Sequence, residues 1–190
     1  MVEVELKVEV KDPQRLEQLL KSLGARFEGE VQQLDIYYSA PHRDFKLTDE
    51  ALRLRRSSHR GLATEECYLT YKGPKLDALS KSREELTVRV EGWEEAQSLL
   101  QSLGFIEVGR VSKLRRGYRL ADFVLSLDQV EGLGNFLEVE TRAEGGYDQI
   151  LEQAFELLKK LGFSQHEVIR ESYLELLCCS REKRLRTGGA

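Results

Sequence analysis

A chain of 190 residues has the length for one large domain or two small ones, and for a substantial core. With 41% apolar and 33% charged residues it fits a soluble globular protein carrying more charge than usual, and a net charge of -4 gives no reason to expect nucleic acid. Three cysteines, two of them adjacent at Cys178 and Cys179, make neither a disulfide framework nor a zinc spacing, and no leading apolar segment or run of ~18 apolar residues predicts a signal peptide or a membrane span, so a cytoplasmic setting is expected.

The first predicted element is a strand over 3–8. Strand side chains alternate, so Glu3, Glu5 and Lys7 share one face while Val4, Leu6 and Val8 share the other. Asp12 and Pro13 then start a helix, as N-cap and first helical residue, with Leu16, Leu19, Leu20 and Leu23 as its apolar stripe and Gly24 as its stop. A strand from Val31 to Tyr38 follows, then a polar loop with Pro41, His42 and Arg43. Further strands are expected at about 50–57 and 65–72, with Arg53, Arg55 and Lys72 on their polar faces. A turn-rich loop from Gly73 to Ser82, bordered by Lys72 and containing Lys75 and Lys81, precedes a restart of the pattern.

The restart is an internal repeat. Leu19-Leu20-Lys21-Ser22-Leu23-Gly24 returns about 80 positions on as Leu99-Leu100-Gln101-Ser102-Leu103-Gly104, and in part as Leu157-Leu158-Lys159-Lys160-Leu161-Gly162. A charged strand precedes each helix: Glu3-x-Glu5-x-Lys7, Glu85-x-Thr87-x-Arg89 and Glu138-x-Glu140-x-Arg142. So long a period is no solenoid. It predicts a duplicated strand–helix–strand unit closed by a third copy. The residues from Ser180 onward read as a basic, frayed tail.

About eight strands with one apolar face each need cover, and the leucine-striped helices supply it from outside. The charged faces then converge inside a closed or nearly closed antiparallel barrel. Buried charge demands a partner or a ligand. Arg53, Arg55, Lys72, Lys113 and Arg115 make a cationic set; Glu3, Glu5, Glu85, Asp128, Glu138 and Glu140 make an acidic one. A polyphosphate with Mg2+ or Mn2+ suits both, because arginine and lysine hold phosphoryl oxygens and carboxylates hold hard cations. The alternative is an ordinary sheet whose charged face is solvated.

Glu3-x-Glu5-x-Lys7 resembles the signature of the CYTH superfamily, the triphosphate tunnel metalloenzymes. Leu52-Arg53-Leu54-Arg55, Thr70-Tyr71-Lys72-Gly73, Ser82-Arg83-Glu84-Glu85, Lys113-x-Arg115, Leu127-Asp128 and Glu138-x-Glu140 follow in the family's order, over about residues 1–178. Ser172-Tyr173-Leu174-Glu175-Leu176-Leu177 is similar to the ending of the prokaryotic class IV adenylyl cyclase-like branch. The resemblance implies an α+β, mainly β fold: an eight-stranded antiparallel tunnel with helices outside, spanning 1–178, followed by a flexible basic tail at 179–190. It implies that Lys7, Arg53, Arg55, Lys72, Lys113 and Arg115 bind triphosphate, and that Glu3, Glu5, Asp128, Glu138 and Glu140 hold metal directly or through water. Glu85 orients a cation, and Lys7, Arg55, Lys72 and Glu85 are assigned to the reaction itself.

The expected activity is metal-dependent chemistry on ATP or another triphosphate or polyphosphate. Cyclisation of ATP to cyclic AMP and pyrophosphate is set against inorganic, nucleoside or thiamine triphosphatase activity. Thiamine is disfavoured because Ala51, not an aromatic residue, stands on the Arg53 face. A polyphosphate-binding module without turnover is the non-enzyme reading, and the carboxylate set argues against it. No membrane or nucleic acid partner is expected, and a homodimer is left open. His42 and His59, placed in polar loops, and His166 lack a partner at ligand spacing. Cys178, Cys179 and Trp93 are assigned to packing.

Overall fold

The computed structural model describes residues 2–60, 65–75, 83–143 and 147–187, with side chains for all of these except 2, 3, 142, 143 and 181–187. In chain order the elements are β1 (Val2–Glu9), α1 (Pro13–Ser22), β2 (Arg26–Ser39), β3 (Ala51–His59), β4 (Glu65–Lys75), β5 (Arg83–Val90), α2 (Trp93–Ser102), β6 (Ile106–Leu120), β7 (Phe123–Val130), β8 (Gly134–Ala143), α3 (Tyr147–Lys160) and α4 (Tyr173–Thr187), with a 3-10 turn at Gln165–Glu167. Most of the loop expected at 73–82, including Lys81, lies outside the described residues.

The eight strands form one antiparallel sheet in the order β1-β8-β7-β6-β2-β3-β4-β5. Its centre is the long β2–β6 pair, the equivalent strands of the two repeat units, which joins the halves. The sheet curls until the edge strands β1 and β5 approach one another, without a ladder between them among the described residues. That is the expected antiparallel barrel with helices outside. β2 starts at Arg26 rather than Val31, because Gly29, at φ +143°, absorbs a register shift and lets the ladder with β6 run on.

Asp12 caps α1 by accepting from the Arg15 amide at 3.0 Å, with Pro13 at the first turn. Leu16 and Leu20 of α1, with Ile150, Leu151, Ala154, Leu157 and Leu158 of α3, cover the outward row Val4, Leu6, Val8, Leu125, Leu127, Leu137 and Val139. Trp93 and Leu100 of α2 cover Ile36, Tyr38, Leu52 and Leu54 on the other half. Fully burying one such leucine contributes about 1.5–3 kcal/mol, so both layers drive the charged rows inward. No helix among the described residues is long and apolar enough to cross a membrane.

The sequence reading leaves α4 unassigned, yet its backbone is helical from Tyr173 to Thr187, across the 178/179 boundary drawn from the sequence. Ser172 and Glu175 cap it reciprocally: the Glu175 amide donates to Ser172 Oγ at 3.2 Å and the Ser172 amide to Glu175 Oε2 at 2.5 Å. Tyr173 packs with Tyr37, Val111, Val130 and Phe136, four residues that share strand parity with the charged rows, and Leu174, Leu176 and Leu177 of α4 pack on the same cluster. An apolar floor therefore closes one end of the lumen. The packing role expected for Cys178 and Cys179 is corrected: both are exposed, because α4 buries its other face.

Candidate functional site

Alternation on eight strands sends one row from each toward the lumen, and hydrogen bonding sorts these rows into four groups. The first centres on Asp128, which is fully buried. Arg115 lies directly opposite it in the β6–β7 register and grips it with two bonds, Nε to Oδ1 at 2.7 Å and Nη2 to Oδ2 at 2.6 Å. Lys113 Nζ donates to Oδ2 at 2.8 Å, and the Tyr173 hydroxyl at 3.0 Å. Burial pushes the Asp128 carboxyl up, but Arg115 and Lys113 outweigh it and hold the group below the usual carboxylate range. Burial, with Arg115 adding to it, pushes the Lys113 ammonium down to about 8 despite Asp128 and Glu138.

The second group is Asp35 with Arg55, direct partners in the β2–β3 register. Arg55 Nε donates to Asp35 Oδ1 at 2.6 Å and Nη2 to Oδ2 at 2.7 Å. Burial raises Asp35, and Arg55 more than reverses it, keeping the carboxyl well below its ordinary value.

The third group is Glu5, Glu138 and Glu140, on the adjacent strands β1 and β8, each offering a carboxylate oxygen within 4.8 Å of the others. Arg115 reaches into this group too: Nη2 lies 2.5 Å from Glu138 Oε2 and Nη1 lies 3.8 Å from Glu140 Oε1. Three converging carboxylates repel one another, and Arg115, with Lys72 near Glu5 and Lys113 near Glu138, counters that repulsion. An all-carboxylate donor set suits a hard divalent cation such as Mg2+ or Mn2+, so these residues fit the expected metal. The Glu3 side chain lies outside the described ones; its backbone stands opposite Arg142 on β8.

The fourth group is Lys72 paired with Glu85, directly opposite in the β4–β5 register. Burial, with Arg53 nearby, pushes the Lys72 ammonium down; Glu85 and Glu5 pull it partly back. Glu85 is raised by burial and lowered further by Lys72, for a net lowering. Arg53 shares this region, and its Nε is buried with no hydrogen-bond partner among the described residues. A guanidinium with an orphaned donor suits an anion supplied from outside.

Of the residues named from the sequence, Glu5, Glu138 and Glu140 come together as one carboxylate trio. Lys113, Arg115 and Asp128 form one network, and Lys72 joins Glu85. Asp128 is joined to the trio through Arg115 Nη2, which it shares with Glu138, and its own oxygens accept from four donors. Lys7 lies toward the floor: it is fully buried, its Nζ donates to the Glu171 carbonyl and sits 4.3 Å from the Tyr173 ring centre, with Lys113 Nζ at 4.9 Å from the same ring. His59 ends β3 rather than lying in a loop, 3.8 Å from Glu66.

Sequence reasoning missed several lumen residues, among them Asp35 and Tyr173, and the buried Gln33, Ser57 and Ser126 on the same rows as the charges. Asp35 had a visible signal, a lone acid in the apolar run Leu34-Asp35-Ile36-Tyr37. Tyr173 stands in the quoted run Ser172 to Leu177, but nothing there signals a place in the lumen, since only the path of α4 brings it to Asp128.

The family model for the CYTH domain matches residues 1–173 of this chain. A relative from Methanocaldococcus jannaschii, provisionally named adenylate cyclase, is 43% identical over 178 residues, covering 93% of this chain and 98% of its own. A solved protein of Pyrococcus horikoshii superposes with a TM-score of 0.83 at 41% identity, over 96% of this chain and 99% of that one. A Hippeastrum protein, provisionally named adenylyl cyclase and described as revealing a dominant triphosphatase activity, gives a TM-score of 0.65 over 94% of this chain and 95% of its own; at 19% identity that likeness is one of fold.

Proposed function

This chain belongs to the CYTH domain family, and from that premise we propose that it is a metal-dependent enzyme acting on triphosphates in its lumen, converting ATP to cyclic AMP and pyrophosphate. The carrying observation is the convergence of both signs of charge on the inner face of one curled sheet. A carboxylate trio stands beside a cationic set that includes Arg53, whose Nε has no hydrogen-bond partner among the described residues. Binding an anion alone would need only the cations.

In this reading Arg53, Arg55, Lys72, Lys113 and Arg115 hold phosphate oxygens, with Lys7 deepest, beside the floor. Glu5, Glu138 and Glu140 hold the metal, joined by Glu3. Asp128, saturated by four donors, keeps Arg115 and Lys113 in place. A divalent cation bound to the trio supplies Lewis acidity that lowers the pKa of the attacking hydroxyl. Cyclisation joins the ribose 3′-oxygen to the α-phosphorus, its proton passing to water, and breaks the bond from that phosphorus to the bridging oxygen, which leaves with pyrophosphate. Negative charge grows on that oxygen. Arg55, held by Asp35, and Lys72, held by Glu85, are already oriented and largely buried, so they stabilise it with little reorganisation. The apolar floor keeps bulk water from the inner end.

Hydrolysis is the second reading. It uses the same grip, with water attacking the terminal phosphorus, and the triphosphatase activity described for the Hippeastrum protein of this fold favours keeping it. Incubation with ATP and Mn2+ or Mg2+ decides. Cyclic AMP and pyrophosphate in equal amounts, lost in chelator and restored by metal, are expected. Orthophosphate without cyclic AMP would move the assignment to hydrolysis, and no product from ATP or tripolyphosphate would overturn the enzyme reading.

A further inference from the structure

We propose that Asp35 is a positioning residue: it fixes one edge of the Arg55 guanidinium so that the free end edge meets the phosphate oxygens. The inference rests on the triphosphate grip proposed above. Asp35 is 1% exposed and faces Arg55 across the β2–β3 ladder. A carboxylate in an anion-binding lumen opposes the ligand's charge, so its presence calls for a compensating effect. The two bonds at 2.6 and 2.7 Å supply one. A guanidinium has five N–H donors. With Nε and one Nη2 hydrogen committed to Asp35, the second Nη2 hydrogen and one of the Nη1 hydrogens share the end edge turned away from Asp35, and the fifth points back along the side chain.

The other repeat half holds a pair of the same bonding geometry with acid and base exchanged between the equivalent strands: the arginine is on β6 and the aspartate on β7. Arg115 meets Asp128 through the same atoms, Nε to Oδ1 and Nη2 to Oδ2, at 2.7 and 2.6 Å. The two guanidinium groups are close enough for each half to raise the local positive potential of the other. Arg115 differs in that its Nη atoms also reach Glu138 and Glu140, so the parallel supports an aspartate's hold on a guanidinium rather than a matched free edge. The Arg55 rotamer is fixed before the anion arrives, so less freedom is lost on binding.

The test is a double-mutant cycle on the full chain: Asp35→Asn, Arg55→Lys and both together. Tripolyphosphate affinity is measured by calorimetry in chelator, and kcat and KM with Mn2+ and ATP. Arg55→Lys should weaken tripolyphosphate binding by about tenfold or more. Asp35→Asn should cost about tenfold more affinity with Arg55 intact than in the Arg55→Lys background, because it acts through that guanidinium. If Arg55→Lys binds as tightly as the parent, the grip itself is wrong. If it binds weakly but Asp35→Asn has the same effect in both backgrounds, the grip stands and the positioning role falls.

A measurement on the unaltered protein avoids dependence on the folding of the Asp35 variant. Arginine Nε–H signals are recorded by 15N NMR and assigned by their loss in the Arg53→Lys and Arg55→Lys proteins. Tripolyphosphate should shift the Arg53 signal and leave the Arg55 signal, held by Asp35, in place and slow to exchange. A shift of the Arg55 signal as large as that of Arg53 would mean that phosphate displaces Asp35, and would overturn the proposal.

Discussion

Replacing Asp128 with alanine should destabilise the protein even without metal or ligand. The carboxylate accepts from Lys113, twice from Arg115, and from the Tyr173 hydroxyl, with no exposure to water. Breaking a buried ion pair by removing one partner costs about 3–5 kcal/mol, because the other charge is left uncompensated. Two features place the expectation at the lower end. Arg115 keeps its 2.5 Å contact with Glu138, and Lys113, already held at about 8, can lose its proton and escape as a neutral amine. A loss of about 3 kcal/mol corresponds to a fall in Tm of roughly 6–12 °C for a chain of this size. Urea and thermal unfolding followed by circular dichroism at pH 7, in chelator, measure it. The loss should shrink at pH 9: the parent's Lys113 is then largely neutral, so Asp128 has less there to lose. Tripolyphosphate should also raise the Tm of the variant more than that of the parent, by replacing the missing negative charge. A change below about 1 kcal/mol with an unchanged denaturant slope would refute the placement of Asp128 as the hub of this network.

Arg55→Ala removes charge-assisted bonds of about 1.5–3 kcal/mol each, so triphosphate affinity in chelator should drop by one to two powers of ten. Glu138→Gln should cut turnover by about a hundredfold or more while tripolyphosphate binding in chelator persists or tightens, since a negative charge leaves the lumen; loss of that binding in a folded variant would make Glu138 an organiser of the lumen rather than a metal ligand. Lys113 is protonated below about 8 and neutral above it, so tripolyphosphate affinity should fall as pH rises through that value, and binding just above it should take up a proton, read from calorimetry in buffers of different ionisation enthalpy. Tyr173→Phe should cost about 1 kcal/mol for the bond to Asp128, whereas Tyr173→Ala, which also empties the floor, should cost about 3–5 kcal/mol in urea unfolding.

The fold was legible because the signals behind it are local and periodic. The alternation in Val4, Leu6 and Val8, the leucine stripes ending at Gly24, Gly104 and Gly162, and the return of one unit about 80 positions on together specify strands, outer helices and a doubled architecture. The gathering of Glu5, Glu138 and Glu140 could be anticipated from parity, since β1 and β8 both carry an E-x-E row on one face. What sequence could not supply was pairing. Parity alone does not reveal that Asp128 is consumed by Arg115 and Lys113 or that Asp35 lies opposite Arg55; those follow from register. The floor was missed for a similar reason. Tyr37, Val111, Val130 and Phe136 are apolar residues on otherwise charged rows, and their cover comes from Tyr173, thirty residues beyond the end of β8.

The central claim is that triphosphate and metal meet inside this lumen on two separate residue sets. A crystal structure with a non-hydrolysable ATP analogue and Mn2+, with manganese located by anomalous scattering, tests it most directly. The account predicts a manganese peak ligated by Glu5, Glu138 and Glu140, and phosphate oxygens bonded to Arg53, Arg55 and Arg115, with Asp35 still holding Arg55. Manganese bound elsewhere, or an analogue lying on the outer surface with the lumen side chains undisturbed, would contradict it.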